Sequence, residues 1–134
     1  MNGAEFQCAR EYLGLSAVWV ADRLGVDRRT VYRWEQGKTR LPDDAAAMMG
    51  EWVQRTSMAV GKLTVAIHLE PSELLVATPD EGFEHMAVEG FPASWQRMVR
   101  ARVAERTDRQ IVWMSKESAA FNGLRLLGDK EFGQ

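Results

Sequence analysis

Apolar residues recur every three or four positions through the first half of the chain, and the breaks between these runs carry capping residues. Asn2 and Glu5 stand three apart, a capping-box spacing with Asn in place of Ser or Thr. Phe6, Ala9 and Leu13 then fall on one helical stripe, and Gly14 stops the helix. Ser16 caps a second, short helix whose buried stripe is Val20, Ala21 and Leu24. Gly25 supplies a tight turn, Val26 is predicted to plug into the core, and Asp27 caps a third helix. In that helix Val31 and Trp34 face inward, and Gly37 ends it. Pro42 suits the first turn of a fourth helix, whose positive end Asp43 and Asp44 complement.

Ala45 to Met49, Trp52, Val53, Val60, Leu63 and Ile67 carry that fourth helix toward Leu69, with Pro71 closing it. The alternation of Val65, Ile67 and Leu69 also fits a strand. The longer periodicity favours one helix, with Gly61 as the place where it would break. Beyond Pro71 the pattern changes. Leu74–Thr78 reads as a short strand and Asp80–Phe91 as an acidic loop or irregular hairpin. Pro92–Thr107 reads as a helix with Trp95, Met98, Val99, Arg102 and Val103 near one face, and Gln110–Met114 as a second strand. The segment 115–134, with Phe121, Leu124, Leu126 and Leu127, is expected to add a small helix or strand. Trp95, Met98 and Trp113 are the expected C-terminal core.

Composition narrows the class. A chain of 134 residues makes one domain or two small ones, and 46% hydrophobic residues with 9% aromatics describe a globular protein. No apolar run approaches the ~18 residues that a membrane span needs. The start, Met1 to Glu5, has no basic region followed by an apolar stretch, as a signal peptide would. Cys8 is the single cysteine, which excludes an internal disulfide and a multi-Cys zinc site. It is expected to be a small buried hydrophobe in a cytoplasmic protein. His68 and His85 lack ligand-like partner spacing, so no metal is expected. No Gly-rich phosphate loop and no paired nucleophile and base is present, so neither a cofactor nor a catalytic residue is assigned.

Charge adds a positive indication. The net charge is −2, which excludes a uniformly basic coat for nucleic acid. Yet residues 1–62 are +1 and residues 63–134 are −3, and the fourteen residues from Asp27 to Arg40 are +3. That concentration coincides with the segment Leu15–Lys38, LSAVWVADRLGVDRRTVYRWEQGK, two short helices around Gly25-Val26. Ala21 is small where such helices approach, and Leu24, Val26, Val31 and Trp34 supply an apolar interior. This leaves Arg28, Arg29, Thr30, Tyr32, Arg33 and Gln36 on the outer part of the second helix. Arg can donate two hydrogen bonds to guanine and Gln can pair with adenine, and such a helix fits the major groove of double-stranded DNA. Trp34 belongs to the core, Trp19 to local packing or an interface, with packing favoured, and Met48, Met49 and Met58 to core or interface. Tyr32 is divided evenly between DNA contact and surface packing.

These residues resemble the Cro/C1-type (XRE) helix-turn-helix family through Leu15-Ser16, Ala21, Leu24-Gly25-Val26, Val31 and Arg33-Trp34-Glu35-Gln36-Gly37-Lys38. The resemblance implies that Arg28, Arg29 and Arg33 contact bases. It places Thr30, Lys38 and Arg40 at phosphates, with Tyr32 and Gln36 auxiliary, and makes Arg10 and Glu35 a structural ion pair. Two positions depart from the family: Ala17 stands where Gln is frequent and Trp19 where Glu is frequent, which alters how the second helix meets the DNA backbone. The implied architecture is a mainly α, lambda-repressor-like helix-turn-helix bundle over 1–62, its final helix reaching 69. A small α+β dimerisation segment over 70–134 follows. That segment is similar in layout to YdiL-like regulators and anti-CRISPR-associated autorepressors. The implied function is a homodimeric autorepressor that reads a palindromic operator through helix 27–36. The alternative is an antitoxin-type module whose C-terminal part binds a partner protein.

Overall fold

The computed structural model describes residues 1–70, 75–80 and 90–114, which are mostly helical. The expectations for Pro71, Leu74, His85, most of the acidic loop and the segment 115–134 lie outside the described residues. Two compact units divide the chain, Met1–Ser57 and Met58–Gln134, and the division falls inside the fourth helix.

Three short helices open the first unit: α1 (Gly3–Tyr12), α2 (Ala17–Leu24) and α3 (Arg28–Glu35). Each begins on a local side-chain cap. The Asn2 side chain accepts from the Glu5 N–H at 2.8 Å while Glu5 accepts from the Asn2 N–H at 2.8 Å, the reciprocal box expected. Ser16 accepts from the Trp19 N–H at 3.0 Å, and Asp27 accepts from the Thr30 N–H at 2.9 Å. The helices also end alike. Past each one, a glycine at φ near 70° turns the chain, and the following N–H reaches back: Leu15 to the Arg10 carbonyl, Val26 to Ala21 and Lys38 to Arg33. A left-handed residue is needed at that position, and glycine adopts it without a Cβ penalty.

The core of this unit is Phe6, Leu13, Leu15, Val20, Ala21, Val31 and Trp34, with Leu41, Ala45, Met49 and Trp52. Phe6 and Trp34 meet edge to face at 6.0 Å between ring centroids, tying α1 to α3. Trp19 packs against Trp52 at 5.2 Å, which bears out its local packing role. Three expectations change here. Leu24 and Val26 are half-buried, because the short turn holds them at the rim of the helix pair. Cys8 is exposed, since it lies on the side of α1 away from the buried Phe6 and Arg10. Met48 is also exposed, while Met49 is buried.

The fourth helix, α4 (Asp43–Leu69), is continuous for 27 residues, so the strand alternative over 63–69 is not what the chain adopts and Gly61 makes no break. Thr56 and Thr64 donate their hydroxyls to the Trp52 and Val60 carbonyls. In the second unit, β1 (Leu75–Ala77), α5 (Ala93–Thr107) and β2 (Ile111–Trp113) follow. The strands are parallel, pairing Leu75 with Ile111, Val76 with Val112 and Ala77 with Trp113. A parallel pair requires a crossover, and α5 supplies it. Phe91 stacks on Trp95 at 4.2 Å, and Val99 and Val103 continue that buried face. Gln96 is buried there too, where Met98 and Arg102 had been expected; its amide oxygen accepts from the buried Thr78 hydroxyl at 3.1 Å. Trp113 is 64% exposed rather than core, because Ile111 and Trp113 alternate onto the uncovered face of β2.

Candidate nucleic-acid interface

Period and burial sort α3 into two faces. Val31, Trp34 and Glu35 are buried, and Arg29, Arg33 and Gln36, at i, i+4 and i+7, lie on the opposite side and are exposed. Arg28 at the first turn and Tyr32 beside the row are exposed as well, the tyrosine at 43%. Among the described residues, Arg28, Arg29 and Arg33 make no ion pair, so three guanidinium groups stand on one short helix with their donors turned to solvent. Lys38 is exposed just past the helix. Arg40 is exposed too and holds Asp43 at 3.3 Å across open surface, a pair easily exchanged for another anion.

The buried side of α3 is braced. Glu35 takes a bidentate contact from Arg10, with Nε to Oε2 at 2.7 Å and Nη2 to Oε1 at 3.0 Å. The third donor of Arg10, Nη1, reaches the Leu15 carbonyl at 3.0 Å, so one side chain joins α1, the α1–α2 turn and α3. The two side chains are only 11% and 2% exposed. The hydrogen bond to Glu35 and its charge hold the Arg10 guanidinium above its ordinary pKa and outweigh burial, which acts the other way. Gly3 completes the brace. It lies so close to the Trp34 carbonyl that a Cβ there would overlap the oxygen. Nothing near Gly3 in the sequence signals this, because the constraint comes from another helix.

At the other end of α3, Asp27 is both a cap and a charge. Its Oδ1 accepts from the Thr30 N–H and from the Thr30 hydroxyl at 3.2 Å. These two bonds, with Arg29 adding a smaller electrostatic pull, hold the carboxyl below its usual range. A hydroxyl has one proton to give, so Thr30 would have to release Asp27 before donating to a phosphate. On α2, Arg23 lies with its guanidinium 4.9 Å from the Trp19 ring centroid, a cation–π contact that the sequence reading did not anticipate.

Two capped helices, a glycine-closed turn and a second helix whose outer row is basic have thus been assembled from local signals. Residues 3–52 match the family described as a helix-turn-helix domain. The first unit thus contains a segment similar to a helix-turn-helix domain. The match runs from the first residue of α1 to Trp52 in α4 and so takes in the Arg10–Glu35 brace and the whole basic row. No curated protein is significantly similar to the chain. Within the helix-turn-helix, α3 is the helix that can enter a groove, since its Arg-bearing side is exposed while α1 and α2 cover the other. Among the described residues no group of three or more His, Cys, Asp or Glu side chains could hold a metal ion. None of the described helices is long and apolar enough to cross a membrane.

Proposed function

We propose that this protein is a sequence-specific transcriptional regulator of the Cro/C1 type, a dimeric repressor that reads a palindromic operator through helix 27–36. The observation that carries this reading is the row Arg29, Arg33 and Gln36, exposed and unpaired by any described residue, on a helix capped at one end and braced at the other. Arg28, Arg29 and Arg33 are assigned to base edges, where bidentate arginine favours guanine. Lys38, Arg40 and, once its cap bond opens, Thr30 are assigned to phosphates, with Tyr32 and Gln36 beside the bases. Twofold symmetry would place two copies of α3 in successive major grooves about 34–36 Å apart. In this reading residues 1–62 bind DNA, α4 extends to 69, and 70–134 form the smaller α+β segment. Its chemistry is binding rather than catalysis.

Selection of bound sequences from a random DNA pool tests this, using the full chain at near-physiological salt. The expected result is a palindrome with G-containing half-sites one helical turn apart. A motif without twofold symmetry would remove the dimeric part of the proposal. No enrichment at all would remove sequence-specific reading.

A further inference from the structure

Asp27 carries a charge that its structural role does not require. As the cap of α3 it accepts from the Thr30 N–H at 2.9 Å and from the Thr30 hydroxyl at 3.2 Å, both on Oδ1. Asparagine and serine cap a helix as well as aspartate does, and they are neutral. The +3 segment Asp27–Arg40 holds two carboxylates. Glu35 is buried against Arg10, so Asp27 is the one that stands exposed beside the arginines. Facing a polyanion, such a charge weakens binding to every sequence alike unless a donor on the DNA meets it. Asp27 has acceptor capacity left for one. An ionised carboxylate offers about four acceptor sites. The two Thr30 bonds fill Oδ1, and the Arg29 N–H makes a weaker approach, which leaves Oδ2 room for another donor. Helical side chains lean toward the N-terminus, so Arg29 leans toward Asp27, and its electrostatic pull on that carboxyl reflects their closeness.

We infer that Asp27 is a specificity-determining residue whose carboxylate accepts from the amino group of a cytosine, in the base pair next to the guanine that Arg29 reads. Among base edges in the major groove only cytosine N4 and adenine N6 donate, while guanine O6 and N7 and thymine O4 are acceptors that a carboxylate repels. Adenine sets its N7 acceptor beside the donor, so cytosine is the better match. Successive base pairs lie about 3.4 Å apart, a spacing that two side chains leaning together at the start of one helix can span. Arg29 then reads by donating and Asp27 by accepting, each at its own pair. The inference rests on the sequence-reading part of the proposed function and needs no dimer.

Selection from a random DNA pool with the full-length wild type, D27S and D27N, followed by titrations on the selected and on scrambled DNA, tests it. The wild-type motif is expected to hold a C beside a G, and changing that C·G pair to T·A is expected to weaken binding about tenfold. D27S keeps a cap but is too short to reach the base, so it should retain the rest of the motif and lose all but about twofold of the preference at that one position. D27N keeps the shape and turns a charge-assisted bond into a neutral one, so about threefold of the preference should remain. Both variants are expected to bind scrambled DNA about threefold more tightly, because a negative charge has left the face; a damaged fold would weaken that binding instead. A wild-type motif with no C whose preference falls in D27S overturns the inference and leaves the arginines as the readers. Unaltered binding of both variants to scrambled DNA places Asp27 off the DNA face and overturns it as well. No enrichment with the wild type overturns the sequence-specific reading itself.

Discussion

A methyl group added at Gly3 would set two local rules against each other. Alanine is the better helix former by about 1 kcal/mol in a helix interior, and less at a first turn. Packing opposes it, because the new Cβ would overlap the Trp34 carbonyl oxygen, a backbone atom that cannot rotate away. Overpacking of this kind costs about 1–3 kcal/mol, so the larger effect decides the sign. Gly3→Ala is therefore expected to lower stability, read as a decreased urea midpoint at unchanged slope; a midpoint at or above wild type would mean that α1 can back away from α3 at no cost. The sequence reading had no access to this contact. It had access to Asn2, Ser16 and Asp27, because a cap acts over three residues and leaves its mark there. Cys8 and Trp113 were read as buried from their residue type, and both are exposed. Residue type reports a preference for burial, whereas exposure depends on which neighbouring element covers the position.

Elements were legible in proportion to how far their signals are local. The three short helices of the first unit follow from cap, stripe and glycine, each within a dozen residues. α4 was legible as a helix because its apolar period persists through Gly61, and the two-residue alternation at Val65, Ile67 and Leu69 proved subordinate to it. The buried side of α5 was legible at Trp95, Val99 and Val103 but not at Gln96, whose burial depends on Thr78 eighteen residues away. The angle at which α3 is presented depends on α1, through Arg10 and Glu35. Removing one partner of a buried pair strands the other charge, which costs about 3–5 kcal/mol, whereas replacing both by apolar groups is often near neutral. Glu35→Ala should thus destabilise the first unit by that amount in urea unfolding, and Arg10→Met with Glu35→Leu should recover most of it. A single substitution costing under about 1 kcal/mol would show that solvent reaches Arg10 and that the pair is not a brace.

At the scale of the whole molecule the proposed function must reconcile a net charge of −2 with a polyanionic partner. Long-range attraction cannot supply the affinity. Near contact, however, charges farther away than a Debye length of about 8–10 Å are screened, and what the duplex meets is the +3 segment Asp27–Arg40. Two kinds of contact then separate by their response to salt and sequence. Lys38→Ala removes a phosphate contact, so it should weaken binding to all sequences alike and reduce the slope of log K against log salt by about 1 per copy bound. Arg29→Ala removes the first arginine of the reading row, so it should cost about 1–3 kcal/mol on the selected operator and relax preference at one or two base pairs. Titrations of both variants at several salt concentrations, on operator and on scrambled DNA, distinguish them. If Arg29→Ala lowered affinity for both DNAs equally, Arg29 would be an electrostatic handle and not a reader. Specificity would then have to come from Asp27, Arg28, Arg33 and Gln36 or from the shape of the duplex.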